Sequence, residues 1–202
     1  MEEELILDFA ISTQNIGFAE RCKITNEIFK REQSEKFHIV ENFDYETAYT
    51  EFVEWMKSFL FDNEKDYDEY EGFKNHPVIN FEIFETMITA NSCPDWSEED
   101  SDWAADFDSQ STIHENTSIS QTLKRLNEAD RMLTGSIIFS ILLIPSFVSR
   151  FVEEDDNKNR LIHSGRDKLY FSTGSHVGSI FTFGILTKEG FSAMKVEHAS
   201  GY

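Results

Sequence analysis

The chain has 202 residues and a mass of 23.5 kDa, and its formal net charge at pH 7 is −20. This length suits a single domain over residues 1–202, and a hydrophobic fraction of 40% with 19 phenylalanines excludes wholesale disorder. The strongly negative charge disfavours direct binding to nucleic acid, whose phosphates would repel the protein.

The charge is concentrated in the first part of the chain. Residues 1–110 contain 28 acidic and 8 basic side chains, whereas residues 111–202 contain 10 of each. We therefore predict an acidic, helical part over about 1–110 and a neutral part of helix and sheet over about 111–202. Such asymmetry indicates that one face of the protein is specialised.

The sequence predicts no targeting segment and no membrane span. Its first four residues include three glutamates where a secretory signal needs basic residues, so we expect a cytoplasmic protein. Residues 132–149 carry no charged side chain, but their apolar run at 137–144 is far shorter than the roughly twenty residues that a spanning helix needs. Two cysteines, Cys22 and Cys93, are too few for a disulfide framework or a cysteine-based zinc site.

Helical periodicity in the first half is clearest over residues 44–61. Apolar side chains recur there at three- and four-residue intervals, and Asp44 is placed to cap the helix. A similar pattern predicts a helix from about 16 to 30. The short apolar run at 4–11 fits either a strand or the start of a helix.

Two more helices are predicted among the acidic residues that follow. The spacing of Phe81, Phe84 and Met87 predicts an apolar helix at about 80–90. Farther on, Ser97 precedes a run of acidic side chains, which is typical of a capped helix with acids in its first turn.

The second half is predicted to begin with a helix at about 119–133. Ser118 and Gln121 form a capping box at its start, and Gly135 stands where it would end. The apolar residues 136–144 favour a buried strand, with a buried helix as the alternative.

Turns and strands are predicted for the remainder of the chain. The polar residues 153–159 indicate a loop, and strands follow at 168–173, 180–187 and 191–197 as an antiparallel meander. The predicted fold class is α+β, with a largely helical N-terminal two-thirds packed on a C-terminal antiparallel sheet of about three to five strands.

The stretch over residues 62–108 is the main candidate for function, with fifteen acidic residues against two lysines. Interfaces depend on aromatic anchors, and fixed carboxylates can also stand in for nucleic-acid phosphates. The alternative interpretation is that this acidic surface only keeps the protein in solution and that its aromatic rings point inward. The predicted partner-binding residues are Asp66, Tyr67, Asp68, Glu69, Tyr70, Glu71, Asp95, Trp96, Glu98, Glu99, Asp100, Asp102 and Trp103.

Motifs for metals, cofactors and phosphates are lacking in the sequence. An EF-hand is excluded because no register from the aspartates of this stretch places a glycine at position six. We predict no cofactor and no defined metal centre, while a less regular cation site stays open. The candidates for acid–base or nucleophilic chemistry are His163, His176 and Ser172, although such residues more commonly make local hydrogen bonds.

The one-sided charge and the lack of a catalytic motif favour a binding protein over an enzyme. We expect an acidic cytoplasmic inhibitor that masks a basic protein such as a nuclease or toxin, in the manner of an immunity protein or a phage anti-defence protein, with nucleic-acid mimicry as one form of masking. The alternatives are a small enzyme with a histidine–serine site on the C-terminal sheet and a structural subunit of a larger assembly.

Overall fold

The computed structural model describes residues 8–61, 75–84, 86–99, 102–129, 133–163, 165–175 and 179–198. Its helices are 8–12 (α1), Phe18–Glu32 (α2), Phe37–Val40 (α3), Tyr45–Phe61 (α4), Ser118–Ala129 (α5), Thr134–Glu153 (α6) and Asp155–Leu161 (α7). Its strands are Val78–Phe84 (β1), Met87–Cys93 (β2), Ser109–Thr112 (β3), Lys168–Ser175 (β4), Ile180–Thr187 (β5) and Gly190–His198 (β6).

The six strands form one mixed sheet in the order β3-β2-β1-β4-β5-β6. Only β1 and β4 run parallel, and this pair joins three strands from the acidic part of the chain to three from the neutral part. The α+β class is confirmed, and so is the meander β4–β6. The predicted C-terminal antiparallel sheet of about three to five strands is only part of the observed one, which has six strands, because residues 78–112 supply half of the sheet.

Alternating side chains give the sheet two different faces. Ile79, Phe81 and Ile83 on β1 enter the main hydrophobic core, which lies between the sheet and helices α2, α4, α5 and α6. Val78, Asn80 and Glu82 therefore lie on the opposite side, which we call the second face. The second face carries the candidate site.

Helix α6 runs through the middle of the core and contacts β1, β4, β5 and β6. Helix α6 is apolar on all sides. Of its most apolar stretch of 18 residues, 89% is buried inside the protein. The favoured strand at 136–144 is thus wrong and the buried helix is correct, because an all-round apolar run lacks the period that would separate the two. By length and composition alone α6 could cross a membrane, but protein already covers its surface.

The helices predicted at about 16–30 and 44–61 are confirmed as α2 and α4, and the helix predicted at about 119–133 is confirmed as α5 up to Ala129. In α4, the Asp44 carboxylate accepts a hydrogen bond from the Thr47 amide at 3.1 Å, as an N-cap does. In α5 the cap is Thr117, whose hydroxyl accepts from the Ser120 amide at 3.3 Å. Ser118 is instead the first helical residue, so the predicted capping box was misplaced by one position.

Other local predictions are wrong. The helix expected at 80–90 is the β1–β2 hairpin, and two of its supposed anchors, Phe84 and Met87, are 42% and 41% exposed at the turn. Gly135 lies in the first turn of α6 and does not end α5. The loop expected at 153–159 is mostly α7.

Candidate functional site

The chain between β2 and β3 lies against the second face of the sheet. We call residues 94–108 the acidic segment, of which 94–99 and 102–108 are described. A second hydrophobic cluster holds this segment in place, and it is separate from the main core. Its members are Val78, Cys93, Trp103 and Ala104, with Trp96, Tyr170 and Ile180 packed against them.

Trp96 fastens the start of the acidic segment to β4 and β5. Its indole stacks on the ring of Tyr170, with the planes 3° apart and the centroids separated by 4.0 Å. The indole N–H donates to the hydroxyl of Thr182 at 3.1 Å. Stacking and a directed hydrogen bond together fix both the position and the rotation of this ring.

Trp103 fastens the second half of the segment. It belongs to a single turn of 3₁₀ helix, Asp102–Ala104, and is only 5% exposed. Its ring meets the imidazole of His198 edge to face, with centroids 5.2 Å apart. Both tryptophans therefore face the sheet and not the solvent. This is the inward orientation that the sequence analysis gave as the alternative.

Five acidic residues in the described part of the acidic segment are exposed on its outer side: Asp95, Glu98, Glu99, Asp102 and Asp106. Asp108 is also an exposed residue, but its carboxylate contacts the buried ring of His76. Residues 95–99 form no helix, and the Ser97 hydroxyl accepts from the Glu99 amide at 3.1 Å in a local turn. The helix expected after Ser97 is absent from the described residues 95–99. The side chain of Phe107, which lies between Asp106 and Asp108 in the sequence, is 38% exposed.

His76 fastens the end of the segment. Its Nε2 lies 3.0 Å from a carboxylate oxygen of Asp108, and its Nδ1 lies 2.8 Å from the hydroxyl of Ser92. Because a carboxylate only accepts, Nε2 carries the proton and, in the neutral ring, Nδ1 accepts from Ser92. The Asp108 amide also donates to the Ser92 carbonyl at 3.1 Å. The last residue before β3 is thus held at two points.

The surroundings of His76 favour its neutral form. Burial lowers the pKa of His76 below the ordinary value of 6.5, and the attraction of Asp108 opposes this only in part. The buried guanidinium of Arg166 donates to the His76 carbonyl at 3.3 Å and to the Leu161 carbonyl at 2.7 Å. Burial lowers the pKa of Arg166 to about 10, so it stays charged at neutral pH.

This arrangement of serine, histidine and aspartate contains the groups of a hydrolytic triad, but Ser92 is only 2% exposed. A nucleophile must reach its substrate, and this hydroxyl faces a ring that is itself buried. We therefore assign the three residues a positioning role. Sequence reasoning missed them because they lie 16 residues apart at each step and match no motif.

Several of the predicted partner-binding residues lie outside the described part of the chain. They are Asp66, Tyr67, Asp68, Glu69, Tyr70, Glu71 and Asp100. The remaining ones, Asp95, Trp96, Glu98, Glu99, Asp102 and Trp103, all belong to the acidic segment.

The histidines and the serine suggested for catalysis take different places. Ser172 is fully buried on the second face, where its hydroxyl is hydrogen-bonded to Thr182 at 3.0 Å. Thr182 in turn is 2.7 Å from Nε2 of His198, so a histidine does join this network. His163 lies before β4, where its Nδ1 accepts from the Gly165 amide at 3.1 Å. His176 lies outside the described residues.

Both cysteines of the chain belong to its described part. Cys22 and Cys93 are free and buried, and burial raises the pKa of each to about 12, so both are neutral thiols of low reactivity. Within that part of the chain, no group of three or more histidine, cysteine, aspartate or glutamate side chains is arranged so that it could hold a metal ion.

Comparison with known proteins identifies no relative: no family model matches the chain, and no curated protein or solved structure is significantly similar to it.

Proposed function

We propose that this chain is an acidic binding protein that masks a basic protein partner through the acidic segment. The observation that carries the proposal is the contrast between the two sides of this segment. Trp96, Trp103 and the pair Asp108 and His76 hold its inner side to the sheet, while Asp95, Glu98, Glu99, Asp102 and Asp106 lie outside.

A supported segment suits recognition better than a free acidic tail. Ordering side chains and loops on binding costs free energy, and a surface that is already ordered avoids much of that cost. Opposite charge then accelerates the approach of a basic partner and selects against acidic ones. In this proposal the two tryptophans position the carboxylates, and Phe107 supplies an exposed aromatic contact beside them.

The partner class we favour is a nucleic-acid-binding protein such as a nuclease or toxin. Its phosphate-binding surface presents lysine and arginine, for which carboxylates are suitable acceptors. Inhibition of the immunity-protein or phage anti-defence type, including nucleic-acid mimicry, is the finer form of the same proposal. The proposal also includes a cytoplasmic location and the binding of the partner by the residues from Asp66 to Glu71.

Reversing the outer charges tests the proposal. Partners are captured from lysate at low salt, identified, purified and measured by titration calorimetry against wild type and a variant with Asp95, Glu98, Glu99 and Asp102 changed to lysine. We expect a basic partner whose affinity for the variant is lower by about tenfold or more. The difference should shrink as the salt concentration rises, since surface charges are screened.

The matched control reverses four exposed glutamates on the helical side of the protein, Glu27, Glu41, Glu54 and Glu128. This variant has the same net charge as the first but an intact acidic segment, and it should bind like wild type. Equal loss of affinity in both variants would mean that net charge alone matters, and unchanged affinity in the first would contradict the proposal.

The small enzyme with a histidine–serine site has less support. Ser172 is fully buried beneath the second face, and its hydroxyl is engaged by Thr182.

A further inference from the structure

The two tryptophans of the acidic segment contact different strands of the sheet. Trp96 stacks on Tyr170 of β4 and is hydrogen-bonded to Thr182 of β5. Trp103 lies farther across, against His198 at the end of the edge strand β6. The positions of the two rings can therefore be linked only through the side chains of the sheet beneath them or through the segment itself.

Thr182 lies at the centre of a buried hydrogen-bond network beneath these rings. Its hydroxyl accepts from the Trp96 indole at 3.1 Å, is 3.0 Å from the Ser172 hydroxyl and is 2.7 Å from Nε2 of His198. A hydroxyl has one hydrogen and can accept two bonds, so these three contacts use its full capacity. Ser172, Thr182 and His198 are all fully buried, so a contact that is lost leaves a polar group without water to replace it.

The imidazole of His198 contacts both tryptophans. Its centroid is 5.2 Å from that of the Trp103 ring and 5.9 Å from that of the Trp96 ring, with interplanar angles of 79° and 87°. Such edge-to-face contacts have a defined geometry, so a rotation of the imidazole changes the packing of both indoles. The hydrogen bond from Nε2 to Thr182 therefore orients a ring on which both tryptophans pack.

We propose that Thr182 and His198 are positioning residues that couple the two tryptophan anchors, so that the acidic segment is held in place or released as one unit. Trp96 is coupled directly, through its hydrogen bond to Thr182, and Trp103 is coupled through the His198 ring. A buried network of this kind can be worth more than the sum of its pairs. The importance of this coupling for partner capture rests on the proposed function, because the coupling keeps the outer carboxylates in fixed relative positions.

Two backbone amides report on the turn that carries Trp103. The Ala105 amide donates to the Asp102 carbonyl at 3.1 Å, and the Asp106 amide donates to the Trp103 carbonyl at 3.3 Å. Hydrogen exchange at these amides, measured by NMR on the full chain, gives the free energy with which the turn opens.

Thr182→Val removes the hydroxyl, keeps the shape of the side chain and should weaken both anchors. The Trp96 indole loses its acceptor, and the Ala105 and Asp106 amides should exchange at least about fivefold faster. In a His198→Phe background, which keeps an aromatic ring but removes the hydrogen bond, the same substitution should accelerate these two amides less than about twofold. Thr182→Ser keeps the hydroxyl and should exchange like wild type.

Thr89→Val is the matched control, because this buried strand residue also bonds a hydroxyl, that of Thr112 at 3.1 Å, but lies on β2 and not in the network. It should leave both reporter amides unchanged, while amides of β1 and β4 report on global unfolding in each protein. The coupling would be overturned if Thr182→Val left the Ala105 and Asp106 amides unchanged, or accelerated them only as much as those of β1 and β4. The charge-reversal titration tests the proposed function separately, since hydrogen exchange of the free protein involves no partner.

Discussion

His76 connects three parts of the site through one ring. It holds Asp108 at the end of the acidic segment, accepts from Ser92 on β2, and receives the Arg166 guanidinium at its own carbonyl. The imidazole is nearly buried, with 5% of its side chain exposed, whereas the Asp108 carboxylate is 43% exposed. A change in the charge of this ring therefore affects both the sheet and the segment.

The stability of the protein should depend on the protonation of His76. Burial lowers its pKa in the folded state below the ordinary 6.5, so the unfolded chain binds the proton more readily. The free energy of unfolding should therefore be highest above pH 6.5 and fall as the pH drops from there through the lower, folded-state pKa.

Urea unfolding between pH 8 and pH 5 measures this dependence, with His76→Gln as the comparison. The variant keeps an amide that can donate to Asp108 but cannot titrate, so its stability should change less over this range. A pH profile that is identical in the two proteins would show that another group is responsible.

At this scale the sequence predicted the chemistry of single residues but not their neighbours. Asp95, Glu98, Glu99 and Asp102 are exposed as expected, because charged side chains lose much on burial. The inward direction of Trp96 depends on Tyr170 and Thr182, which are more than seventy residues away and have no pattern in common with it. The contacts of His76 are likewise set by strand pairing.

Strand β5 shows how one residue type determines the packing of an element. Gly184 follows a bulge in the β5–β6 pairing, and the ring of Phe191 on β6 lies over it. A Cβ at position 184 would come within 2.2 Å of this ring. The absence of a side chain therefore lets Phe191 reach Phe171, with ring centroids 6.1 Å apart.

Gly184→Ala should destabilise the protein by about 2–3 kcal/mol, since the Phe191 ring must give up its present packing against the core. The φ of Gly184 lies outside the left-handed region, so the cost is steric. In a Phe191→Ala background the same substitution should cost less than about 0.5 kcal/mol. Urea unfolding of the four proteins measures the coupling, and an equal cost in both backgrounds would contradict this explanation.

Elements whose pattern is local were predictable from sequence. Helices α2, α4 and α5 each have one apolar side, and the meander β4–β6 has short strands between turn residues. The β1–β2 hairpin was missed because Phe81, Phe84 and Met87 match helical spacing, although Ile79, Phe81 and Ile83 alternate as in a strand. For α6 the apolar run has no period at all, so only its tertiary surroundings decide.

At the scale of the whole molecule, the acidic and neutral parts of the chain share one sheet. The parallel pair β1–β4 joins them, and the hydrophobic core on the helical face includes residues from both. The second face then carries the acidic segment as a cover, fixed at Trp96, Trp103 and Asp108. Five exposed acidic residues of this cover, Asp95, Glu98, Glu99, Asp102 and Asp106, lie close together in the sequence.

The central claim is that fixed positions, and not charge alone, make the acidic segment a binding surface. The most direct test is the affinity of a purified basic partner for Trp96→Ala, which removes the stack on Tyr170 but changes no acidic residue and leaves the net charge the same. Trp55→Ala is the matched control, because it also removes an indole that donates a hydrogen bond, here to the Ser111 hydroxyl. Trp55 packs against the main core on the helical side of the sheet and not against the acidic segment. We predict that Trp96→Ala weakens binding by about tenfold and that Trp55→Ala binds like wild type. Wild-type affinity in Trp96→Ala would contradict the claim.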